Sequence, residues 1–110
     1  DLAAAHEKNQ EVPTNQYTKW FDYDKIKNSP CVRTRRQGDY LTVNSEGGRK
    51  KLNRIFIDEK IPAEMRDRLP GVAVGSEILW IPGGRMNEKY KITSTTGRVL
   101  ELHYQGGALA

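Results

Sequence analysis

The chain has 110 residues, 36% of them hydrophobic, one cysteine and a formal net charge of +4. That length suits one domain with a modest core, and the single Cys31 excludes an internal disulfide or a Cys-based zinc site. No apolar run reaches the roughly 18 residues that mark a transmembrane helix, and the N-terminus lacks the basic and apolar regions of a signal peptide.

The first residue is Asp1 rather than Met, which reads as a fragment of a longer chain. Residues 1–16 are polar and read as a linker or lead-in, with a helical turn at Leu2–His6. Residues 17–104 form the domain and residues 105–110 a tail. Tyr17 to Tyr23 alternates aromatic and polar residues and reads as a strand. Asp24 to Lys27 reads as a turn of helix. Val32–Arg36 and Asp39–Val43 read as two strands of a hairpin closed at Gln37-Gly38.

The next stretch, Gly47-Gly48 followed by Arg49 to Asp58, reads as a glycine turn opening an amphipathic helix over about 50–58. Leu52, Ile55 and Phe56 share one of its faces. Ile61 to Pro70 reads as a second short helix, with Pro62 in its first position. Gly71–Val74 and Glu77–Ile81 pair around Gly75-Ser76, Pro82-Gly83-Gly84 turns, and Tyr90–Thr93 pairs with Arg98–Tyr104. Strands flanking two short helices make an α+β, mainly β, domain. Its expected core includes Trp20, Val32, Leu52, Ile55, Phe56, Ile78, Trp80, Ile92 and Leu100. Cys31 reads as a small core residue.

Charge is concentrated. Val32 to Arg54 holds seven basic residues (Arg33, Arg35, Arg36, Arg49, Lys50, Lys51 and Arg54) against Asp39 and Glu46, a local +5 on a chain of +4. Basic residues in the first turns of a helix oppose its dipole, and Lys50 and Arg54 at i,i+4 repel. A phosphate would reverse both penalties. In a strand, Arg33 and Arg35 share one face and suit bidentate phosphate contacts. The pattern points to a polyanion partner; the alternative is a solvated basic face. Enzyme signatures are missing: Gly47-Gly48-Arg49-Lys50-Lys51 is not a P-loop, His6 and His103 form no known pair motif, and Asp58-Glu59 reads as a helix-end charge pair.

Four blocks carry a family resemblance: Arg33–Asp39, Lys50–Pro62, Arg66–Pro70 and Ile78–Arg85. Their order and spacing resemble the C-terminal domain of bacterial tRNA(Ile)-lysidine synthetase over about Tyr17 to Tyr104. The resemblance implies a β/β/α layered sandwich like a domain of the phenylalanyl-tRNA synthetase β-chain. It implies a cytoplasmic parent ligase that uses ATP and Mg to attach lysine to a wobble cytidine through a PP-loop domain not present in this chain. It implies that this chain holds tRNA on the acceptor-stem side and has no cofactor of its own. Arg66 and Arg85, in the last two blocks, join Arg33, Arg35, Arg36, Arg49, Lys50, Lys51 and Arg54 as RNA-binding residues; no catalytic or metal site is expected. Many relatives carry a GDRxxPLGM-like loop where this chain has Gly38 to Asn44, so contacts made there do not transfer. The other reading is a structural or homodimerisation module with a merely solvated basic patch.

Overall fold

A computed structural model describes residues 2–7 and 17–104. Residue 1, most of the expected lead-in (8–16) and the tail (105–110) lie outside the described residues. The chain is α+β and mostly strand, in two compact units: residues 1–27 with 90–110, and residues 28–89.

The first unit is a three-stranded antiparallel sheet. Strand β8 (Arg98–His103) lies between β1 (Leu2–Glu7) and β2 (Thr18–Asp22). Leu2–Glu7 is therefore a strand and not a helical turn. His6 stands opposite Val99 and Glu7 opposite Arg98, so pairing overrides the helix propensity of its three alanines. On the other edge Trp20 stands opposite Glu101, and its Nε1 donates to the Glu101 carboxylate at 2.9 Å. Phe21, Val99 and Leu102 are buried. A 3₁₀ turn follows β2 at Tyr23–Lys25, where a helical turn was expected. The expected pairing of Tyr90–Thr93 with β8 does not form. Glu88–Tyr90 is a 3₁₀ turn, Thr96 Oγ1 accepts from the Thr93 N–H to close the loop, and both edges of β8 are already taken. Ile92 is only half-buried.

The second unit is a five-stranded sheet in the order β3-β6-β7-β4-β5, formed by Cys31–Arg33, Gly71–Val74, Glu77–Trp80, Tyr40–Thr42 and Arg49–Lys51. Helices α1 (Leu52–Asp58) and α2 (Ala63–Arg66) lie between β5 and β6 in the chain. Strands β3 and β4 are not a hairpin, because the β6–β7 hairpin stands between them. The Gln37-Gly38 turn is real: Gly38 has φ +92° and the Asp39 N–H donates to the Arg36 carbonyl. It belongs to a loop that steps over the Gly75-Ser76 turn, where the Tyr40 N–H reaches the Ser76 carbonyl at 3.1 Å.

Helix α1 starts later than the sequence suggests. Arg49, Lys50 and Lys51 form β5, paired with Thr42, Leu41 and Tyr40, and Lys51 is only the N-cap. Three long charged side chains suit an edge strand, which they protect from pairing with another chain. The opposition to the helix dipole that the sequence suggests is thus largely relieved by moving the boundary, which leaves only Arg54 in the first turn. Pro62 likewise stands one position before α2 as its N-cap. Leu52, Ile55 and Phe56 are buried as expected, with Leu41, Ala73, Ile78, Leu79 and Trp80. Val32 (55% exposed) and Cys31 are not core: β3 is an edge strand, and its inward place is taken by Arg33.

Candidate functional site

The basic segment is placed by three local devices. The first is Asp39, whose side chain is 1% exposed. The Arg33 guanidinium forks onto it, Nη1 and Nη2 donating to its two oxygens at 2.9 Å, and the Arg36 N–H adds a third bond at 2.7 Å. Burial pushes the Asp39 carboxyl up, but the bonds from Arg33 and Arg36 outweigh it and hold it below the usual carboxylate range. The same hydrogen bond raises Arg33. Arg33 Nη2 also donates to the Gly75 carbonyl at 2.8 Å. Arg33 is thus a closed, internal tie that shapes the 34–39 loop.

The second device is Asn44. Its Oδ1 accepts from the Glu46 and Gly48 N–H groups at 3.0 and 2.9 Å, closing the turn between β4 and β5. A Cβ on Gly48 would meet the Asn44 amide at 2.6 Å, so a side chain there would push Asn44 from the position in which it closes the turn. The glycine turn is thus filled by the Asn44 side chain.

The third is α1, whose buried face leaves Asn53, Arg54, Ile57 and Asp58 on one solvent-facing arc. On one flank Asp58 accepts a hydrogen bond from Lys50 at 2.7 Å and forms an ion pair with Arg54 at 3.1 Å. Lys50 and Arg54 therefore share an anion and do not oppose each other. The Lys50 hydrogen bond, with help from Arg54, keeps the Asp58 carboxyl low. On the other flank Arg35 donates from Nε to Asp67 and from Nη1 to the Asn53 oxygen, each at 2.7 Å, with its guanidinium 6.0 Å from the Phe56 ring centroid. Arg35, Arg36, Gln37, Asn53 and Asp67 line an open cleft of about 270 Å³.

The remaining residues are dispersed. By strand alternation Arg49 and Lys51 face away from Lys50, on the side of Tyr40, over whose ring the Arg49 guanidinium lies at 4.6 Å. Arg66 donates to the Ile61 carbonyl, and Arg85 lies 4.0 Å from Glu59. The structure thus gathers Arg35, Arg36, Lys50 and Arg54 around α1, turns Arg49 and Lys51 to the opposite face, and sequesters Arg33. Asn53, Gln37 and Asp67 complete the cleft without having stood out in the sequence. Asp67 follows Arg66 in a charged run, and only the fold shows that it meets Arg35. Among the described residues no group of three or more His, Cys, Asp or Glu side chains could hold a metal ion, and no helix is long and apolar enough to cross a membrane.

Comparison with known proteins gives this arrangement a family. The profile of the TilS substrate C-terminal domain matches residues 31–102. The chain belongs to this family. It is 49% identical over 89 residues to a tRNA(Ile)-lysidine synthase of Caldanaerobacter subterraneus subsp. tengcongensis, covering 81% of this chain and 19% of that protein. It is 41% identical over 90 residues to a synthase of the same name from Clostridium tetani, covering 82% and 19%. A solved structure titled as the crystal structure of the TILS C-terminal domain superposes with a TM-score of 0.73 at 33% identity, covering 92% of this chain and 78% of that one. The chain spans about a fifth of the length of the curated relatives it matches. The two-sheet α+β fold is the fold of this family.

Proposed function

We propose that this chain is the tRNA-holding domain of a tRNA(Ile)-lysidine synthase, a cytoplasmic ligase. The observation that carries the reading is the cationic belt around α1, formed by Arg35, Arg36, Lys50 and Arg54 within the family-matched residues. The relatives' name supplies the substrate class. The chain grips the tRNA, on its acceptor-stem side, through backbone phosphates. A-form RNA hides its base edges in a deep groove, so a stem is recognised by phosphates, 2′-hydroxyls and shape. ATP and Mg²⁺ act in another part of the parent protein, where lysine is joined to the wobble cytidine. Fixing the tRNA body presents the anticodon in register, a contribution of orientation and not of bond chemistry.

The test is tRNA binding to the chain across a salt series. Three to four phosphates neutralised by the belt give a slope of log K against log[salt] of roughly −2 to −4. Changing Lys50 and Arg54 together to Ala weakens many tRNAs alike and flattens the slope by about 2. A folded double variant with unchanged affinity and slope overturns the reading. The exposed edge strand β3, with Cys31 and Val32 in water, favours a second reading as a self-association module. Concentration-dependent dimerisation without tRNA affinity would select it.

A further inference from the structure

The cleft beside α1 is rich in hydrogen-bond donors, with Arg35, Arg36 and the Gln37 and Asn53 amides in its lining. A guanidinium carries five N–H donors and no acceptor. Arg35 uses Nε on Asp67 and Nη1 on Asn53, and its Nη2 has no partner among the described residues. Because Arg35 can only donate, it is the Asn53 oxygen that faces it, which leaves the Asn53 amide donors for another group. The Arg36 side chain has no hydrogen bond or ion pair among the described residues, and Gln37 adds a second amide to the lining. The one acid, Asp67, is engaged at the Nε edge of Arg35 and has a side chain 78% exposed, so water screens its charge. Arg35 itself is only 26% exposed and is held over Phe56. The result is a guanidinium fixed on two edges with its third edge left open.

We propose that this cleft holds a single phosphodiester of an RNA strand. Arg35 and Arg36 are its charged ligands, and the Asn53 and Gln37 amides are neutral donors. Asp67 is a positioning residue that orients Arg35 through Nε. This rests on the reading given under Proposed function and adds a defined subsite to it. A guanidinium anchored at Nε and Nη1 aims its Nη2 donors in a fixed direction, which the single ammonium of a lysine cannot reproduce.

The experiment measures binding of a fluorescein-labelled RNA hairpin to the chain in a salt series, with folding of each variant checked by circular dichroism. Arg35→Ala and Arg36→Ala each weaken binding about tenfold, and changing both together to Ala flattens the salt slope by about 0.9, the share of the one phosphate they hold. The exposed Arg36 keeps the test valid if Arg35→Ala disturbs the packing on Phe56. Arg35→Lys does not rescue. Asp67→Ala weakens binding, whereas Asp67→Asn, which keeps an acceptor for Nε, stays within about twofold of the parent. Tighter binding by both Asp67 variants makes Asp67 a mere competitor for the cation and overturns its role. Unchanged binding by Arg36→Ala and by Arg35→Ala, beside a weakened Lys50/Arg54 double variant, overturns the subsite and leaves the wider reading standing. No hairpin binding by the parent chain at low salt removes the wider reading itself.

Discussion

Replacing Asp39 by Ala isolates the tie that shapes the basic loop. The carboxylate is buried and receives three hydrogen bonds, two of them a charge-assisted fork from Arg33, whose own side chain is 11% exposed. Removing one partner of a buried ion pair costs about 3–5 kcal/mol, because the other charge is stranded. Arg33 keeps its bonds to the Thr34 and Gly75 carbonyls, which places the cost near the lower end, about 3 kcal/mol. With a urea slope of about 1.5 kcal/mol/M, the unfolding midpoint falls by about 2 M. The sign with pH follows from Asp39, whose carboxyl lies below its ordinary value in the fold. Its contribution is complete above the unfolded value of about 4 and is lost as pH falls through the lower folded value. The gap between parent and variant therefore narrows on acidification below about pH 4. A loss under 1 kcal/mol at neutral pH, or a gap that widens in acid, refutes the internal role assigned to Arg33.

Phe56→Ala removes a ring that is 2% exposed and should cost about 3–5 kcal/mol, whereas Val32→Ala, at 55% exposure, should stay within about 0.5 kcal/mol; urea melts of the pair test the core assignment. Gly38→Ala meets open space but requires φ +92°, so it should destabilise by about 1–2 kcal/mol through backbone strain alone, read as a lowered thermal midpoint with an unchanged circular dichroism spectrum. Asp58→Ala frees Lys50 and Arg54 from their shared carboxylate, and tRNA affinity at low salt should rise. A fall in affinity would mean that Asp58 orients these cations.

The amphipathic face of α1 and the β6–β7 hairpin were legible because each is a local pattern: a spacing of three and four for Leu52, Ile55 and Phe56, and a glycine turn between two apolar runs. The partners of β3, β4 and β8 were not, because strand pairing is decided by distant residues. Gln37-Gly38 and Thr96-Gly97 signalled turns truthfully, but a turn does not say whether its flanks pair. The same limit governs the basic cluster. Sequence showed seven cations close together; it could not show that Asp39 withdraws Arg33, that Asp58 joins Lys50 to Arg54, or that strand alternation turns Arg49 and Lys51 away. The departure from dipole preference near Lys50 signalled a misplaced helix start before it signalled a ligand.

The placement of β8 between β1 and β2 has a consequence for synthesis. Thr18 and His103, which are hydrogen-bonded, stand 85 residues apart in sequence, and Trp20 and Glu101 stand 81 apart. Residues 28–89 contain all the strands of their own sheet, so that unit has its full set of partners while β8 is still inside the ribosome. The first unit waits: β1 and β2 emerge early, with their shared central strand still to be translated. Closing so long a loop is slow. The edges of β1 and β2 that face β8 are therefore covered only after residues 28–89 have all the strands of their own sheet.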